Sequence, residues 1–205
     1  MISELLFCRY FTSFWTELLP GGDHYIKLIN SGLKERYCPP LDFSEDPEKR
    51  SLINVMANEL FSRIMNENLE KDVLLSLNES SKLLREIQNK SISFLSPALT
   101  NPSSHEPINE TEVKVIIGIC KNMISRFSEN KNLVLSPKFP GCGLVENCEG
   151  DIIEETTLIE IKAGDRNFSI LDIRQLLVYG ALNYISYSPY KIEKFGLFNP
   201  RRGIQ

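Results

Sequence analysis

The stretch GDIIEETTLIEIKAG, residues 150 to 164, restricts the fold of this chain more than any other. Two short aliphatic runs flank a polar turn, which is the pattern of a β-hairpin. Strand side chains alternate between the two faces of a sheet, so Glu160 and Lys162 share one face while Ile159 and Ile161 share the other. The aliphatic content of the second run is typical of a central strand. The sequence therefore predicts a hairpin that carries a carboxylate and an ammonium group on one face.

A third charge of this hairpin, Asp151, is predicted to lie close to Glu160. If the loop has four residues, Ile153 pairs with Leu158 and Asp151 lies directly opposite Glu160. If the loop has two residues, Asp151 lies diagonal to Glu160 on the same face. In both registers the β-carbons of the two acids are within roughly 5 to 8 Å. Such carboxylates repel unless a cation lies between them. Lys162 is one such cation, and Mg²⁺ or Mn²⁺, which bind carboxylates, water and phosphate, is the other.

The hairpin belongs to a longer alternation of elements after residue 100. A capping box of Asn109 and Glu112 opens a helix, and strands follow over residues 132–139, 144–153 and 156–163. Ser169 and Asp172 open a second helix, which brings Gln175 and Tyr179 onto one face, and a last strand begins at residue 194. The order α-β-β-β-α-β predicts a mixed α/β fold with helices flanking a sheet.

The first hundred residues are predicted to be helical. Amphipathic patterns indicate helices over residues 3–19, 24–33 and 74–88, and a further helix within residues 44–69, whose apolar face runs from 52 to 64. The segment SPALTNPSSHEPIN, residues 96–109, lacks periodicity and is rich in Pro, Ser and Asn, which is typical of a linker. We therefore expect a helical region over 1–100 and an α/β domain over 101–205.

Composition excludes several function classes. No Cys-x-x-Cys pair occurs among the five cysteines, which argues against a zinc ribbon or an iron–sulfur cluster. No phosphate-binding Gly-x4-Gly-Lys-Ser/Thr string occurs, so we expect no bound nucleotide. No run of about eighteen apolar residues and no basic leader occur, so we expect a cytoplasmic protein with no membrane contact. The net charge of -4 leaves room for a local basic groove.

Together, GDII…LIEIKAG and RQLLVYGALNY resemble the PD-(D/E)XK nuclease superfamily, and within it the RecB-like branch with the Gln-x-x-x-Tyr motif. The resemblance covers roughly residues 106 to 205 and implies a restriction-endonuclease-like core. Gly150 stands where the family pattern has a proline, and the acid after it is retained.

The resemblance implies a role for each motif residue. Asp151, Glu160 and the backbone carbonyl of Ile161 would bind Mg²⁺ or Mn²⁺, and Lys162 would be the catalytic lysine. Gln175 and Tyr179 would line the site and contact the nucleic acid.

Four further residues are weaker candidates. Such families often add an acidic residue from the first core helix, and Glu112 and Glu110 are the candidates, although Glu112 also fits the capping box. Arg201 and Arg202, after the last strand, are candidates for a phosphate contact.

The predicted function is metal-dependent hydrolysis of DNA phosphodiester bonds. The resemblance further implies a prokaryotic anti-phage or DNA-repair system, with an ATPase, a helicase or a second copy of the chain as partner. Two alternatives stay open: a catalytically silent subunit that binds nucleic acid or a partner through the same fold, and an RNase with the same chemistry.

Overall fold

A computed structural model describes residues 1–42, 45–66, 71–95, 106–128 and 132–205. Most of the predicted linker, residues 96–105, lies outside the described residues. Within the described ranges the fold is mixed α/β, as predicted. The helices are α1 Glu4–Tyr10, α2 Thr12–Leu18, α3 Gly22–Ser31, α4 Arg50–Asn66, α5 Val73–Ser76, α6 Lys82–Leu95, α7 Glu110–Phe127 and α8 Ile170–Tyr184, with a short 3₁₀ helix at Pro47–Lys49 before α4.

The strands form one mixed sheet and one small ribbon. Their bounds are β1 Leu133–Leu135, β2 Lys138–Phe139, β3 Cys148–Glu149, β4 Ile152–Glu154, β5 Thr157–Ile161 and β6 Lys194–Phe198. The sheet has the order β1-β4-β5-β6, in which β4 pairs antiparallel with β1 and β5, and β6 pairs parallel with β5. Strands β2 and β3 form the separate antiparallel ribbon. Strand β5 is therefore central, as its aliphatic sequence predicts.

The hairpin of β4 and β5 has the register predicted for the four-residue loop. Ile153 pairs with Leu158, and the pairing continues to Glu154 and Thr157, so that only Glu155 and Thr156 form the turn. Glu155 has a φ of 53°, a left-handed conformation that lets the chain reverse over so few residues.

Several predicted elements are interrupted by turns. The predicted strand 132–139 ends at Ser136, which has a φ of 53° and precedes a proline. The predicted helix 74–88 is broken between α5 and α6, where the side chain of Asn78 accepts a hydrogen bond from the N–H of Ser80. Short polar side chains stabilise such local turns in competition with a helix.

Both predicted capping boxes at helix N-termini are present. In α7, Asn109 Oδ1 accepts a hydrogen bond from the N–H of Glu112, and Glu112 Oε2 accepts one from the N–H of Asn109. In α8, the carboxylate of Asp172 accepts a hydrogen bond from the N–H of Ser169. These reciprocal bonds fix where each helix begins.

The chain divides into two compact units that interleave along the sequence. The first comprises Met1–Tyr37, Asn130–Asn199 and Ile204–Gln205, and the second comprises Cys38–Glu129 and Pro200–Gly203. The structure thus divides the chain differently from the predicted boundary at residue 100, because α1 to α3 lie in the unit with the sheet and α7 lies in the other.

Each unit has its own apolar interior. In the first, α8 packs against α1, α3, β2 and β5. In the second, α4 packs against α6 and α7, and its predicted apolar face is buried, including Leu52, Ile53, Met56, Leu60, Phe61 and Ile64. Among the described residues, no helix is both long and apolar enough to span a membrane.

Candidate active site

The two acids of the hairpin lie together on one face of the sheet. Extending the observed register by one residue puts Asp151 opposite Glu160. Asp151 Oδ2 accepts a hydrogen bond of 2.6 Å from the backbone N–H of Ile161, which holds the carboxylate against β5. The residue before Asp151, Gly150, packs closely on the ring of Phe139, since a Cβ there would lie 3.1 Å from that ring.

Lys162 connects the acids to helix α8. Its Nζ donates hydrogen bonds of 2.8 Å to Glu160 Oε1 and 2.7 Å to Gln175 Oε1. The side chain of Lys162 is only 17% exposed, so its charge lies largely inside the protein. The Lys162 ammonium therefore connects the end of β5 with the first half of α8.

Gln175 and Tyr179 complete this cluster from one turn of α8. Gln175 Nε2 donates a hydrogen bond of 2.8 Å to the Tyr179 hydroxyl oxygen, and both side chains are buried. The Tyr179 ring stacks on Phe139 with 5.2 Å between centroids, which fixes the ring plane. The structure thus brings together the five predicted catalytic side chains within the unit that holds the sheet.

Burial dominates the electrostatics of the two acids. Desolvation raises the pKa of Asp151. The hydrogen bond from the Ile161 N–H and the charge of the Lys162 ammonium lower this pKa, but desolvation outweighs them. The pKa of Glu160 is raised well above its ordinary value by burial and then by the neighbouring Asp151 carboxylate. Burial also disfavours the Lys162 ammonium, but Glu160, Asp172 and Asp151 outweigh it and raise the pKa of Lys162. Without a cation between them, the two acids therefore favour the protonated form more than exposed carboxylates do.

Two other reactive groups near the site keep their protons at neutral pH. Burial raises the pKa of the Tyr179 hydroxyl, so this residue does not act as a base. Burial likewise raises the pKa of the Cys8 thiol to about 12. A thiol in this state is a poor nucleophile, which argues against covalent catalysis by Cys8.

One buried atom supports the fit of a divalent metal. Glu160 Oε2 is buried and has no hydrogen-bond partner, a costly state for a carboxylate oxygen. The adjacent Asp151 carboxylate is also an acceptor, so it satisfies this atom only when one of the two acids is protonated. A cation between them would satisfy both. The candidate site offers two such side chains, and nowhere in the described ranges, this site included, are three or more His, Cys, Asp or Glu side chains arranged to hold a metal ion.

Glu4 is a residue of this cluster that sequence reasoning missed. Its Oε1 lies 3.4 Å from Gln175 Nε2, and its negative charge contributes to raising the pKa of Tyr179. Helix α1 packs against α8 and brings Glu4 there, with the Ser3 side chain accepting a hydrogen bond from the N–H of Leu6 at the helix start. The only sequence signal was an acidic residue at the start of a largely apolar helix.

Glu112, the tentative metal ligand, has other partners in its own unit. Its carboxylate forms the capping box with Asn109, and Lys49 Nζ lies 3.4 Å from its Oε1. The residue is 1% exposed. These contacts account for Glu112 as a buried cap and ion-pair residue, and its role as a metal ligand stays a prediction.

The two arginines proposed to contact phosphate are placed differently. Arg201 is buried, and its guanidinium donates to Glu45 at 2.5 Å and to Asn54 at 3.1 Å. This placement contradicts the predicted nucleic-acid contact for Arg201, since a buried, ion-paired guanidinium presents no surface to a phosphate. Arg202 is half-buried, and its predicted contact stays a prediction.

Comparison of the chain with models of known protein families, with curated proteins and with solved structures finds no match.

Proposed function

We propose that the protein is a metal-dependent nuclease of the PD-(D/E)XK type with a restriction-endonuclease-like core. One observation carries the proposal: the Lys162 ammonium bridges Glu160 and Gln175 beside a second buried acid, Asp151. A buried pair of acids with raised pKa values and a lysine at hydrogen-bond distance is an unfavourable arrangement for stability alone. It suits a site that binds a divalent cation next to a phosphate.

In this proposal Asp151, Glu160 and the Ile161 carbonyl hold Mg²⁺ or Mn²⁺. When bound, such a metal lowers the pKa of a water molecule and stabilises the negative charge that develops on phosphorus. Lys162 orients the attacking water and stabilises its deprotonated form. Gln175 fixes the Lys162 side chain, and Gln175 and Tyr179 line the site where the nucleic-acid strand would bind.

The reaction is hydrolysis of one phosphodiester bond. The water oxygen forms a bond to phosphorus, the bond from phosphorus to one sugar oxygen breaks, and the departing oxygen takes up a proton. DNA is the favoured substrate, and the biological setting is prokaryotic anti-phage defence or DNA repair.

A protein partner or a second copy of the chain is proposed to supply specificity. The support for this is an apolar surface on α1 and α2, where several large side chains are exposed, namely Leu5, Leu6, Tyr10, Phe11, Phe14 and Leu18. Soluble monomers seldom expose so many neighbouring large apolar groups.

The test is cleavage of labelled single- and double-stranded DNA and RNA with Mg²⁺, Mn²⁺ or EDTA. We expect the wild type to cut DNA only with metal, and Asp151→Ala and Lys162→Ala to lose this activity while remaining folded. Lys191→Ala is the matched control, because Lys191 is exposed and pairs only with the exposed Glu193.

Three other results would change the assignment. Cutting of RNA alone would make the protein an RNase. Metal-independent cutting, or full activity in both site variants, would rule out this site as its source. A folded wild type that binds nucleic acid or a partner but cuts nothing would support the auxiliary subunit.

A further inference from the structure

Asp172 is a buried acid that the proposed chemistry leaves without a role. It lies in the first turn of α8, three residues before Gln175, and is 3% exposed. Its Oδ2 accepts hydrogen bonds from the N–H and the hydroxyl of Ser169 at 2.7 and 3.0 Å. These bonds cap the helix and need one acceptor oxygen, which an uncharged asparagine also carries. Capping alone therefore does not explain a buried charge.

Two cations account for that charge. Arg166 donates to both carboxylate oxygens of Asp172, at 2.8 and 2.7 Å, in a bidentate pair. On the inner side, Asp172 Oδ1 lies 3.9 Å from Lys162 Nζ. Burial opposes ionisation of Asp172, but Arg166 and the Ser169 N–H outweigh it and lower the pKa of the acid. Asp172 is thus a fixed negative charge between a half-exposed arginine and the lysine of the site.

The placement matters because of how Lys162 is held. An ammonium group has three N–H donors. Lys162 Nζ donates to Glu160 and to Gln175, while the Asp172 carboxylate attracts the ammonium charge from a distance too long for a hydrogen bond. Glu160 is also a candidate metal ligand. Gln175 and Asp172 are therefore the two partners of Lys162 that are not proposed as metal ligands.

We infer that Asp172, itself held by Arg166, is a positioning residue that fixes the Lys162 ammonium in the active site. This inference rests on the proposed nuclease function for its catalytic consequence. Its structural content, the restraint of Lys162, can be tested without any activity.

The direct test is NMR of the lysine ammonium groups in the metal-free protein. The Lys162 signal is assigned by its loss in Lys162→Arg, and its motion is measured from ¹⁵Nζ relaxation. We expect a restricted Lys162 ammonium in the wild type and a clearly more mobile one in Asp172→Asn, which retains the shape and the capping acceptor. Arg166→Gln should give an intermediate increase. An unchanged Lys162 signal in Asp172→Asn would overturn the inference.

The kinetic test separates positioning from helix capping. We expect Asp172→Asn to lower kcat by about 10- to 100-fold, as removal of groups that orient site residues commonly does, with little change in KM. Ser169→Ala is the matched control, because it weakens the cap but leaves the Asp172 charge, and it should retain the wild-type kcat. Equal losses of kcat in both variants would assign Asp172 to helix stability and overturn the inference.

The two proposals fail in distinguishable ways. A wild type that cuts no nucleic acid contradicts the nuclease, whereas the ammonium measurement still decides whether Asp172 restrains Lys162. A wild type that cuts, with an Asp172→Asn variant that cuts equally well, contradicts only the positioning role.

Discussion

The carboxylate of Asp151 accepts a 2.6 Å hydrogen bond from the backbone N–H of Ile161, ten residues along the chain and across the hairpin. This bond lies one step beyond the regular pairing of β4 and β5. It gives Asp151 two separable properties: a hydrogen-bond acceptor for the hairpin and a negative charge for the site.

Substitution of Asp151 by asparagine or alanine should separate these properties. Asparagine can still accept the Ile161 N–H bond, so we expect Asp151→Asn to fold with wild-type or higher stability. Alanine leaves that N–H unpaired, which should lower the free energy of unfolding by about 1 kcal/mol. Both variants should lose metal-dependent cleavage. The measurements are urea denaturation without metal and a cleavage assay. Equal stability of the two variants would show that the hydrogen bond contributes nothing measurable.

Glu160 should make the metal-free protein less stable as the pH rises. Its ordinary pKa is 4.5, and burial raises it well above that in the folded state. Below 4.5 both folded and unfolded chains are protonated. As the pH rises from there to the raised pKa, only the unfolded chain releases the proton, so the free energy of unfolding falls. We therefore expect the Tm of the metal-free wild type to fall as the pH rises above 4.5, and that of Glu160→Gln to fall less.

Metal should reverse this trend, because it binds the deprotonated acids. Mg²⁺ at about pH 8 should raise the Tm of the wild type and leave that of Glu160→Gln unchanged. Glu146→Gln, which removes an exposed glutamate, is the control and should behave like the wild type. A Glu160→Gln variant with the wild-type pH dependence would mean that Glu160 titrates as an ordinary surface acid.

Glu4 should contribute to catalysis although it lies in the first helix. Its carboxylate is 3.4 Å from Gln175 Nε2 and adds a further acid to the cluster. We expect Glu4→Ala to lower the cleavage rate by about 10-fold and to raise the Mn²⁺ concentration needed for half-maximal rate. Glu17→Ala, an exposed acid of α2, should leave both unchanged. Equal cleavage rates for the two variants would show that Glu4 does not contribute to the site.

What the sequence could predict depended on distance along the chain. The hairpin register and the capping boxes at Asn109 and Ser169 involve partners within about ten residues, and spacing rules describe such contacts well. The meeting of Gln175 with Tyr179 follows from one helical turn. The family resemblance covered the same local motifs, which the structure brings together.

The remaining features depend on contacts that leave no local pattern. Glu4 and Gln175 are 171 residues apart, and Arg201 reaches Glu45 across 156 residues. The helices of residues 1 to 37 belong with the sheet through tertiary packing, which amphipathic periodicity alone does not assign to a partner. The break near Asn78 was missed because a side-chain turn there competes with helix formation.

Arg201 should stabilise the protein rather than bind nucleic acid. Its guanidinium pairs with the Glu45 carboxylate, whose side chain is 0% exposed. Burial opposes ionisation of Glu45, but Arg50 and Arg201 outweigh it and lower its pKa, so Glu45 is charged at neutral pH. Arg201→Ala leaves a buried carboxylate with one partner fewer, and we expect a loss of about 3 kcal/mol in the free energy of unfolding. Denaturation in urea measures this loss.

Replacing both charges of this pair provides the control. Arg201→Met combined with Glu45→Gln removes both buried charges and leaves only the partly exposed Arg50 without its carboxylate partner, so it should recover part of the stability lost in Arg201→Ala. Arg202→Ala should cost much less, because that residue is only half-buried. Nucleic-acid affinity measured at low salt should be the same for folded Arg201→Ala and the wild type. A weaker affinity with unchanged stability would restore Arg201 as a phosphate contact, in conflict with its buried position.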